Sequence, residues 1–451
     1  LHTFSEYNLY ILTREHIKMQ LAKTEIEACD FYLLWLIDVQ GILKGRSIPS
    51  KYLNSAIEEG IGFDGSSIPG YSKIQNSDLR MKADITTFSL LPTYFYNKKV
   101  GKFFCDVLTS KGEEFSKNPR KICRDYENKL DLKVKISAEP EFYLIDKNSL
   151  KPVEDAPGNQ YFDLYPGRDK TEAFRMELSD ALSLAGIEVE RMHHEVGPSQ
   201  CEINFKYSSM LGTADNIITY KFFAKKVAEK FGWEATFMPK PWIDKSGNGM
   251  HIHLSLFKED RNLFYDPNEG LSQFCYYFIG GILEHAHALA AVAAPTVNSY
   301  RRLMPGYEAP IYISWGWSNR STMIRVPHYS KFEEKSTRIE IRLPDPTANP
   351  YFLFPCIIEA GLDGVKKKIE PMEPSKENVY ESKENYKTLP SSLLEAINAW
   401  DSDDICIRAL GKEVAETYRE LLLQEWKDFS REVGTNVKEV TDWELKRYLH
   451  R

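Results

Sequence analysis

Several short segments of this chain carry carboxylates, imidazoles and guanidiniums two residues apart. Glu139 and Glu141 lie in AEPEFYLI, His251 and His253 in GMHIHLSL, and Arg338, Glu340 and Arg342 in STRIEIRLPDP. Residues i and i+2 of a β-strand share a face. Each segment would therefore turn its charged groups to one side and Phe142, Ile252, Ile339 and Ile341 to the other. Such strands, laid side by side, crowd like charges together, which is tolerable only with opposite charge between them. Divalent cations and phosphates supply that charge, so the pattern predicts a catalytic face.

Two more carboxylates, Glu195 and Glu202, occur in HHEVGPSQCEINF. With Glu139, Glu141, Glu340 and His251 they give five carboxylates and one imidazole. That oxygen-rich set suits Mg²⁺ or Mn²⁺, whereas zinc favours more nitrogen or sulfur. Arg302, Arg320, Arg325, Arg338 and Arg342 suit two-pronged capture of carboxylate or phosphate. Arg301 reads as a structural ion-pair partner, His193 and His194 as structural, and Cys201 as a packed thiol. A single Glu-x-Glu is usually a surface feature; the argument rests on recurrence across segments. There is no GxxxxGK[ST] loop and no GxGxxG after a strand. Any bound ATP must then be held by metals and arginines. From these residues alone a two-metal hydrolase or phosphatase also fits.

The elements that must position these groups divide the chain in two. Residues 1–115 read as a small mixed domain and 116–451 as a second one. FYLLWLIDVQGIL gives a strand and a turn at Asp38 and Gly41, SKYLNSAIEEG a short helix ending at Gly60, and GFDGSSIPG a glycine- and serine-rich loop. Helix-start signals at Ser116, Asn118 and Pro119 mark the boundary. Helical periodicity runs over Lys170 to Ala185 and Thr213 to Phe231, and the last hundred residues read as helical around a proline- and glutamate-rich connection at 370–375. The apolar stretch from Phe274 to Ala294 is interrupted by Glu284, His285 and His287 and reads as a packed helix, not a membrane span. The expected class is α+β, with the charged strands in one curved antiparallel sheet backed by helices.

Bulk composition narrows the function. Of 451 residues, 42% are hydrophobic and 27% charged, as in ordinary globular proteins, and the net charge is −7. The densest basic block is Lys366 to Lys368, too little for a nucleic-acid footprint. Seven scattered cysteines without a CxxC fit reduced thiols and a cytoplasmic setting. The opening LHTFSEYNLY lacks signal-peptide character.

Taken together, FDGSSIPG with Ser77-Asp78, EPEF, HHEV…QCEINF, ATFMPKP, GMHIH, NSYRRLMPGYEAP, NRSTMIR and TRIEIRLPDPTANPY resemble the type I glutamine synthetases of bacteria and archaea, in family order and over nearly the whole chain. The resemblance implies a β-grasp-like N-terminal domain, a catalytic half-barrel sheet, and two stacked six-membered rings with active sites between neighbouring subunits. It implies ATP-dependent ligation of ammonia to L-glutamate through γ-glutamyl phosphate, with two or more Mg²⁺ or Mn²⁺ per site. Glu141, Glu195 and Glu202 would hold one metal, and Glu139, His251 and Glu340 the metal on the ATP phosphates. Ser246, Gly247, Arg302, Glu308 and Arg342 would contact glutamate, and Asp64, Ser67, Tyr161, Glu195 and Glu308 would form the ammonium pocket. Glu190, His253, Ser255, Arg320, Arg325 and Arg338 would face the nucleotide and the phosphoryl group. Asp64 would be the base that deprotonates ammonium, and Glu308 would close over the intermediate.

Three departures from the family pattern stand out. The usual NGSGMH is here SGNGMH, so Ser246 replaces an asparagine and weaker hold on glutamate is expected. Lys73 stands where the feedback-regulated subtype has arginine, so glutamine inhibition through that position is expected to be weak. Only about twenty residues separate Glu141 from Tyr161, which is the spacing of the shorter, non-adenylylated subtype; Tyr380 then reads as an ordinary surface or linker tyrosine. The alternatives are a γ-glutamyl-amine ligase of the same fold, acting on a larger amine such as a polyamine, and a non-catalytic regulatory homologue. Retention of Asp64, Tyr161 and Glu308 favours ammonia over the first, and the six ligands argue against the second.

Overall fold

The computed structural model describes residues 24–306, 309–327, 333–435 and 437–451. The chain begins with a mixed sheet made by β1 (Phe31–Ile37), β2 (Leu43–Pro49), β3 (Ile61–Asp64), β4 (Asp78–Ala83), β5 (Ser89–Leu90) and β6 (Val100–Thr109). Its order is β2-β1-β6-β4-β3, with β5 paired to β6. The β1–β2 turn forms because Asp38 accepts from the backbone N–H of Gln40 and of Ile42. Gly41 in this turn has a φ of +81° and lies so close to Asn349 that a Cβ would sit 2.9 Å from it. Asn349 in turn donates to the Val39 carbonyl, locking the turn onto the catalytic domain. Helix α1 (Leu53–Glu58) follows β2 and ends just before Gly60, as its sequence predicts.

Helix α2 (Pro119–Lys129) opens the second half. Asn118 caps it by accepting from Arg120 N–H, with proline in the first turn. Arg120 then ties the halves together, reaching Asp84 and Asp106 of the first sheet region and Asp215 of the second half. The long strand β7 (Lys133–Asp146) carries the EPEF segment, followed by α3 (Glu172–Leu184), β8 (Val189–His194), β9 (Gln200–Phe205), α4 (Met210–Lys230), β10 (Trp233–Thr236) and β11 (Met250–Lys258). The short strands β12 (Arg261–Asn262), β13 (Tyr265–Asp266) and β14 (Gly270–Leu271) precede α5 (Gln273–Glu284), α6 (Ala286–Ala293) and α7 (Ser299–Arg302). Strands β15 (Trp315–Trp317), β16 (Ile324–Val326) and β17 (Ile339–Ile341) complete the sheet. Helices α8 (Pro350–Lys367), α9 (Leu393–Asp401), α10 (Ile405–Leu410), α11 (Lys412–Glu432) and α12 (Asp442–Tyr448) close the chain.

The catalytic sheet runs β15-β16-β17-β11-β7-β9-β8. The charged strands pair antiparallel, as expected, and among the described residues only the short strand β15 joins in parallel, against β16. Helix α4 backs it through Ile217, Tyr220 and Phe223, each fully buried. One continuous apolar core joins both sheets and the helices. The apolar stretch from Phe274 forms two helices, not one. His285 breaks it, with one ring nitrogen 2.6 Å from Asp403 and the other 3.0 Å from Asp363 on α8. Among the described residues no helix is long and apolar enough to cross a membrane.

Candidate active site

Strand register brings the charged rows together. Across the sheet, His193 on β8 faces Glu202 on β9, and Glu202 faces Glu141 on β7. One step along, Glu139 faces His251 on β11, while His253 faces Glu340 on β17 and Glu340 faces Arg325 on β16. The two-residue spacing therefore does what strand geometry requires: alternate residues of β7, β11 and β17 point into one cavity of about 480 Å³. Glu139, Glu141, Tyr161, Glu195, Glu202, Ser246, Gly247, His251, His253, Arg302, Arg320, Arg325, Glu340 and Arg342 all line it. A second cavity of about 350 Å³ adjoins it, sharing Glu139 and His253 and adding Glu190, Ser255 and Arg338. Of the residues expected to face nucleotide, Glu190, His253, Ser255 and Arg338 line this second cavity, whereas Arg320 and Arg325 line the first beside the residues expected to face the amino acid.

Two residues of the expected set lie elsewhere. Asp64 and Ser67 sit at the end of edge strand β3 and do not line this cavity. Asp64 is exposed, and its oxygens accept from Ser66 N–H and from the hydroxyls of Ser66 and Ser67. Those bonds from Ser66 and Ser67 hold its carboxyl below the usual range, so it is an anion near neutrality. Glu308 lies outside the described residues.

The carboxylates fall into two electrostatic halves. Glu340 is nearly buried and paired with Arg325 and with Arg342, whose Nη1 lies 2.7 Å away. Burial would raise its pKa, but Arg342, His253, His251 and Arg325 hold it far below the usual value. Glu139 behaves likewise: despite burial, His253 and His251 hold it well below the ordinary carboxylate range. Arg338 Nε donates to His253 Nδ1 at 3.3 Å, and His253 Nε2 lies 3.1 Å from Glu139. In the other half the protein supplies far less positive charge. Burial and Glu195 push Glu141 up to about 8. Burial, with Glu139, Glu195 and Glu141, pushes Glu202 well above its usual value. The side chains of this half do little to stabilise its ionised form, so its carboxyls hold on to protons that a bound cation would displace.

Ligand atoms converge at several points. Glu139, Glu202 and His251 form one group within 4.8 Å, Glu139, His253 and Glu340 a second, and His193, Glu195 and Glu202 a third. His251 Nδ1 is also 3.7 Å from both Glu139 and Glu340, the trio expected around the phosphate-side metal. Burial and Arg342 depress His251 to about 4, so its ring is neutral and able to ligate. Glu141 accepts from Gly249 N–H at 2.8 Å, while His193 stands 2.8 Å from Glu195. The reading of His193 as purely structural is therefore corrected: its ring lines the cavity among the carboxylates. His194, one residue on, is buried on the opposite face against Glu154, as expected of a structural histidine.

The arginine end is built by close backbone approach. A Cβ on Gly247 would lie 2.9 Å from the Arg302 side chain, and one on Gly249 2.9 Å from Arg302 Nη2. Glycine at both positions lets the loop fold over that guanidinium. Arg302 donates to the carbonyls of Leu343 and Arg342, fixing its plane. Arg301 instead pairs with Glu444, the structural role expected of it. Ser246 lines the cavity, with its carbonyl accepting from Tyr143 OH at 2.8 Å. The asparagine found two places on does not replace it. Asn248 is fully buried, bonded to the Met238 carbonyl and to Gln200.

Sequence reasoning missed four groups. Asn204 donates to Glu139 at 2.6 Å, Gln200 lies 3.4 Å from Glu141, and Arg191 reaches Glu139 from an exposed position. Tyr380 is more than a linker residue, since its hydroxyl donates to the Ala309 carbonyl at the cavity wall. The alternation of β9 carries a signal for Gln200 and Asn204, each two residues from Glu202. The other two depend on tertiary placement.

Comparison with known proteins agrees with this geometry. The glutamine synthetase β-grasp domain family matches residues 28–110, and the glutamine synthetase catalytic domain family matches residues 116–448. The chain is 44% identical to glutamine synthetase of Pyrococcus abyssi, covering 93% of this chain and 96% of that one. It is 44% identical to glutamine synthetase of Thermotoga maritima, covering 97% and 100%. Among solved structures, an ADP complex of GmaS superposes with a TM-score of 0.84 at 30% identity, over 96% of this chain and 99% of that one. Plasmodium falciparum glutamine synthetase superposes with a TM-score of 0.82 at 25% identity, over 95% and 98%.

Proposed function

The chain belongs to the glutamine synthetase family and is an ATP-dependent ligase that forms glutamine; we propose that it does so in the cavity of β7, β9, β11 and β17, through a γ-glutamyl phosphate. The observation that carries this reading is one cavity holding the buried carboxylates Glu202 and Glu340 and the half-buried Glu139 and Glu141 against Arg302, Arg325 and Arg342.

The family uses ATP and divalent metal, and the donors fit such ions. Oxygen ligands predominate, and the Glu141–Glu202 half is held toward its protonated form, so a divalent cation would take the place of those protons. The cavity fits anions too. The Nε atoms of Arg325 and Arg342 are buried and, among the described residues, lack a hydrogen-bond partner. We assign one Mg²⁺ or Mn²⁺ to Glu141, Glu195 and Glu202, with His193 beside them, and a second to Glu139, His251 and Glu340. Bound there, the metals would neutralise phosphoryl oxygens and polarise the phosphorus.

The protein groups then have distinct tasks. Arg302 and Arg342, with Ser246 and Gly247, hold the carboxylates of L-glutamate. Glu190, His253, Ser255 and Arg338 hold the nucleotide, and Arg320 and Arg325 neutralise the transferring phosphoryl group. The glutamate γ-carboxylate oxygen attacks the γ-phosphorus, and the bond from phosphorus to the ADP oxygen breaks. Ammonium is drawn to Tyr161 and Glu195 and to Asp64 and Ser67 of a neighbouring copy. An ionised Asp64 takes its proton, and ammonia attacks the acyl carbon and displaces phosphate. Glu308 is assigned to cover the intermediate. We place the domain boundary at 115/116 and the enzyme in the cytoplasm as two stacked hexameric rings. Seven buried, unpaired cysteines support a reducing compartment.

The test is turnover with ATP, Mg²⁺ and L-glutamate, with ammonium present or replaced by a panel of amines. Glutamine formed in step with ADP, and dependent on ammonium, supports the reading. Turnover only with a larger amine overturns it. The same assay on Ser246→Asn should give a lower KM for glutamate with kcat little changed; an unchanged KM removes Ser246 from the glutamate site.

A further inference from the structure

A cavity larger than the catalytic one lies elsewhere in the described residues. About 750 Å³ of space lies under edge strand β2, between β1, helix α4 and the last residues of the chain. Its floor is apolar, made by Phe31, Leu33, Trp35, Val100, Ile218 and Phe222. Its polar lining has one sign. Lys44, Arg46, Lys98, Lys221, Lys225 and Arg451 all face it, and no aspartate or glutamate does. In a chain of net charge −7 this segregation is a local reversal.

The innermost cations are held by backbone carbonyls, with Asp345, Glu234 and Asp38 near but not in direct ion pairs with them. Lys221 donates to the Pro346 carbonyl at 2.8 Å, Lys225 to the His450 carbonyl at 3.1 Å, and Arg451 to the Gln40 carbonyl at 2.7 Å. Among the described residues, none of the three is ion-paired with a carboxylate; the nearby Glu234 is engaged by His450. Backbone carbonyls satisfy hydrogen bonds but cancel little charge. Burial and the mutual repulsion of the cluster accordingly depress Lys221 to about 7 and burial depresses Lys225 to about 8.

The geometry points to a binding site for an organic anion with an apolar body, a medium-chain or aromatic carboxylate or sulfonate. Its charged head would meet Lys221 and Lys225 and its body would cover Trp35 and Phe222. The volume is that of a small-molecule site. The occupant is an organic anion rather than a neutral apolar molecule because six cations face the space and, among the described residues, only Lys44 has a carboxylate partner, Asp38 at 3.7 Å. The cavity also bridges the first sheet and helix α4 of the catalytic domain, so an occupant would clamp the seam between the two halves.

The test uses the full assembled enzyme with Mg²⁺ and the fluorescent aromatic sulfonate 8-anilinonaphthalene-1-sulfonate, displaced by decanoate or by decanol. Decanoate should displace the probe and decanol should not at the same concentration. The Lys221→Gln/Lys225→Gln double variant should weaken both anions about tenfold, roughly the loss of one charge-assisted contact. Lys98→Glu, at an exposed rim position, should also weaken them while leaving glutamine formation unchanged. Absence of probe binding, equal displacement by decanol, or unchanged affinity in both variants overturns the site.

Discussion

At the scale of single residues, the cavity is an unequal balance of charge. Glu139 and Glu340 are compensated by protein cations, whereas Glu141 and Glu202 are held up by burial and mutual repulsion. Replacing one carboxyl of the second pair by an amide should relieve this crowding of ionisable groups in the metal-free protein while destroying metal binding. Glu202→Gln should therefore raise the Tm of the metal-free enzyme, abolish most of the stabilisation by Mg²⁺ or Mn²⁺ and lower kcat at least a hundredfold. Thermal melts with and without metal check this; a lower metal-free Tm with metal stabilisation intact would contradict it. Metal at one hundred times its Kd should stabilise the wild type by about 2.7 kcal/mol per site, which sets the size of the shift to look for. These carboxylates were legible in the sequence because a two-residue spacing has one structural meaning on a strand. His193 was not, because two adjacent histidines on β8 must face opposite ways. Which one faces in depends on the register shift between Val189 and Arg191. The burial of Asn248 was not legible either, since only the backbone path past Arg302 turns it into the core.

At the scale of elements, the strands and long helices follow from local pattern and capping, as at Asn118 for α2. The break between α5 and α6 does not, because a continuous apolar periodicity conceals it. His285 stops the helix by bonding two carboxylates from other elements, Asp363 and Asp403. Both acceptors are carboxylates, so the ring carries both protons. Burial disfavours that charge, but Asp403 and Asp363 outweigh it and raise the His285 pKa above its usual value. The raised folded-state pKa fixes the sign. The stabilisation is fully present below the unfolded value of about 6.5 and fades as pH rises through the higher folded value. His285→Gln should lower stability by about 1.5–3 kcal/mol at pH 6, the worth of hydrogen bonds to charged groups, and by less at alkaline pH. Melting curves of both proteins across that range check it; a gap that widens with rising pH would contradict the assignment. The parallel pairing of β15 with β16 was likewise invisible locally, because strand direction is a property of the connections.

At the scale of the whole molecule, one chain builds a metal- and arginine-lined cavity and places Asp64 outside it, on the far edge strand of the first sheet. If Asp64 serves a neighbour, two defective proteins can complement each other. Asp64→Asn and Glu340→Gln should each be inactive alone. Mixed assemblies, formed by dissociation and reassociation, should regain a fraction of activity, because some interfaces pair one intact Asp64 with one intact metal cavity. Reassembled mixtures as inactive as their parents would place Asp64 and the cavity in one subunit's site. No single sequence displays such an interface, although the motif at Asp64 was readable as part of the same chemistry. The central claim is that the glutamate γ-carboxylate becomes an acyl phosphate in this cavity before nitrogen arrives. It is tested most directly with L-glutamate carrying ¹⁸O in the γ-carboxylate, ATP, Mg²⁺ and ammonium, followed by mass analysis of the phosphate released. An acyl phosphate passes one carboxylate oxygen to phosphorus and leaves it there when ammonia displaces phosphate. The account predicts one ¹⁸O per phosphate; unlabelled phosphate alongside glutamine would contradict it.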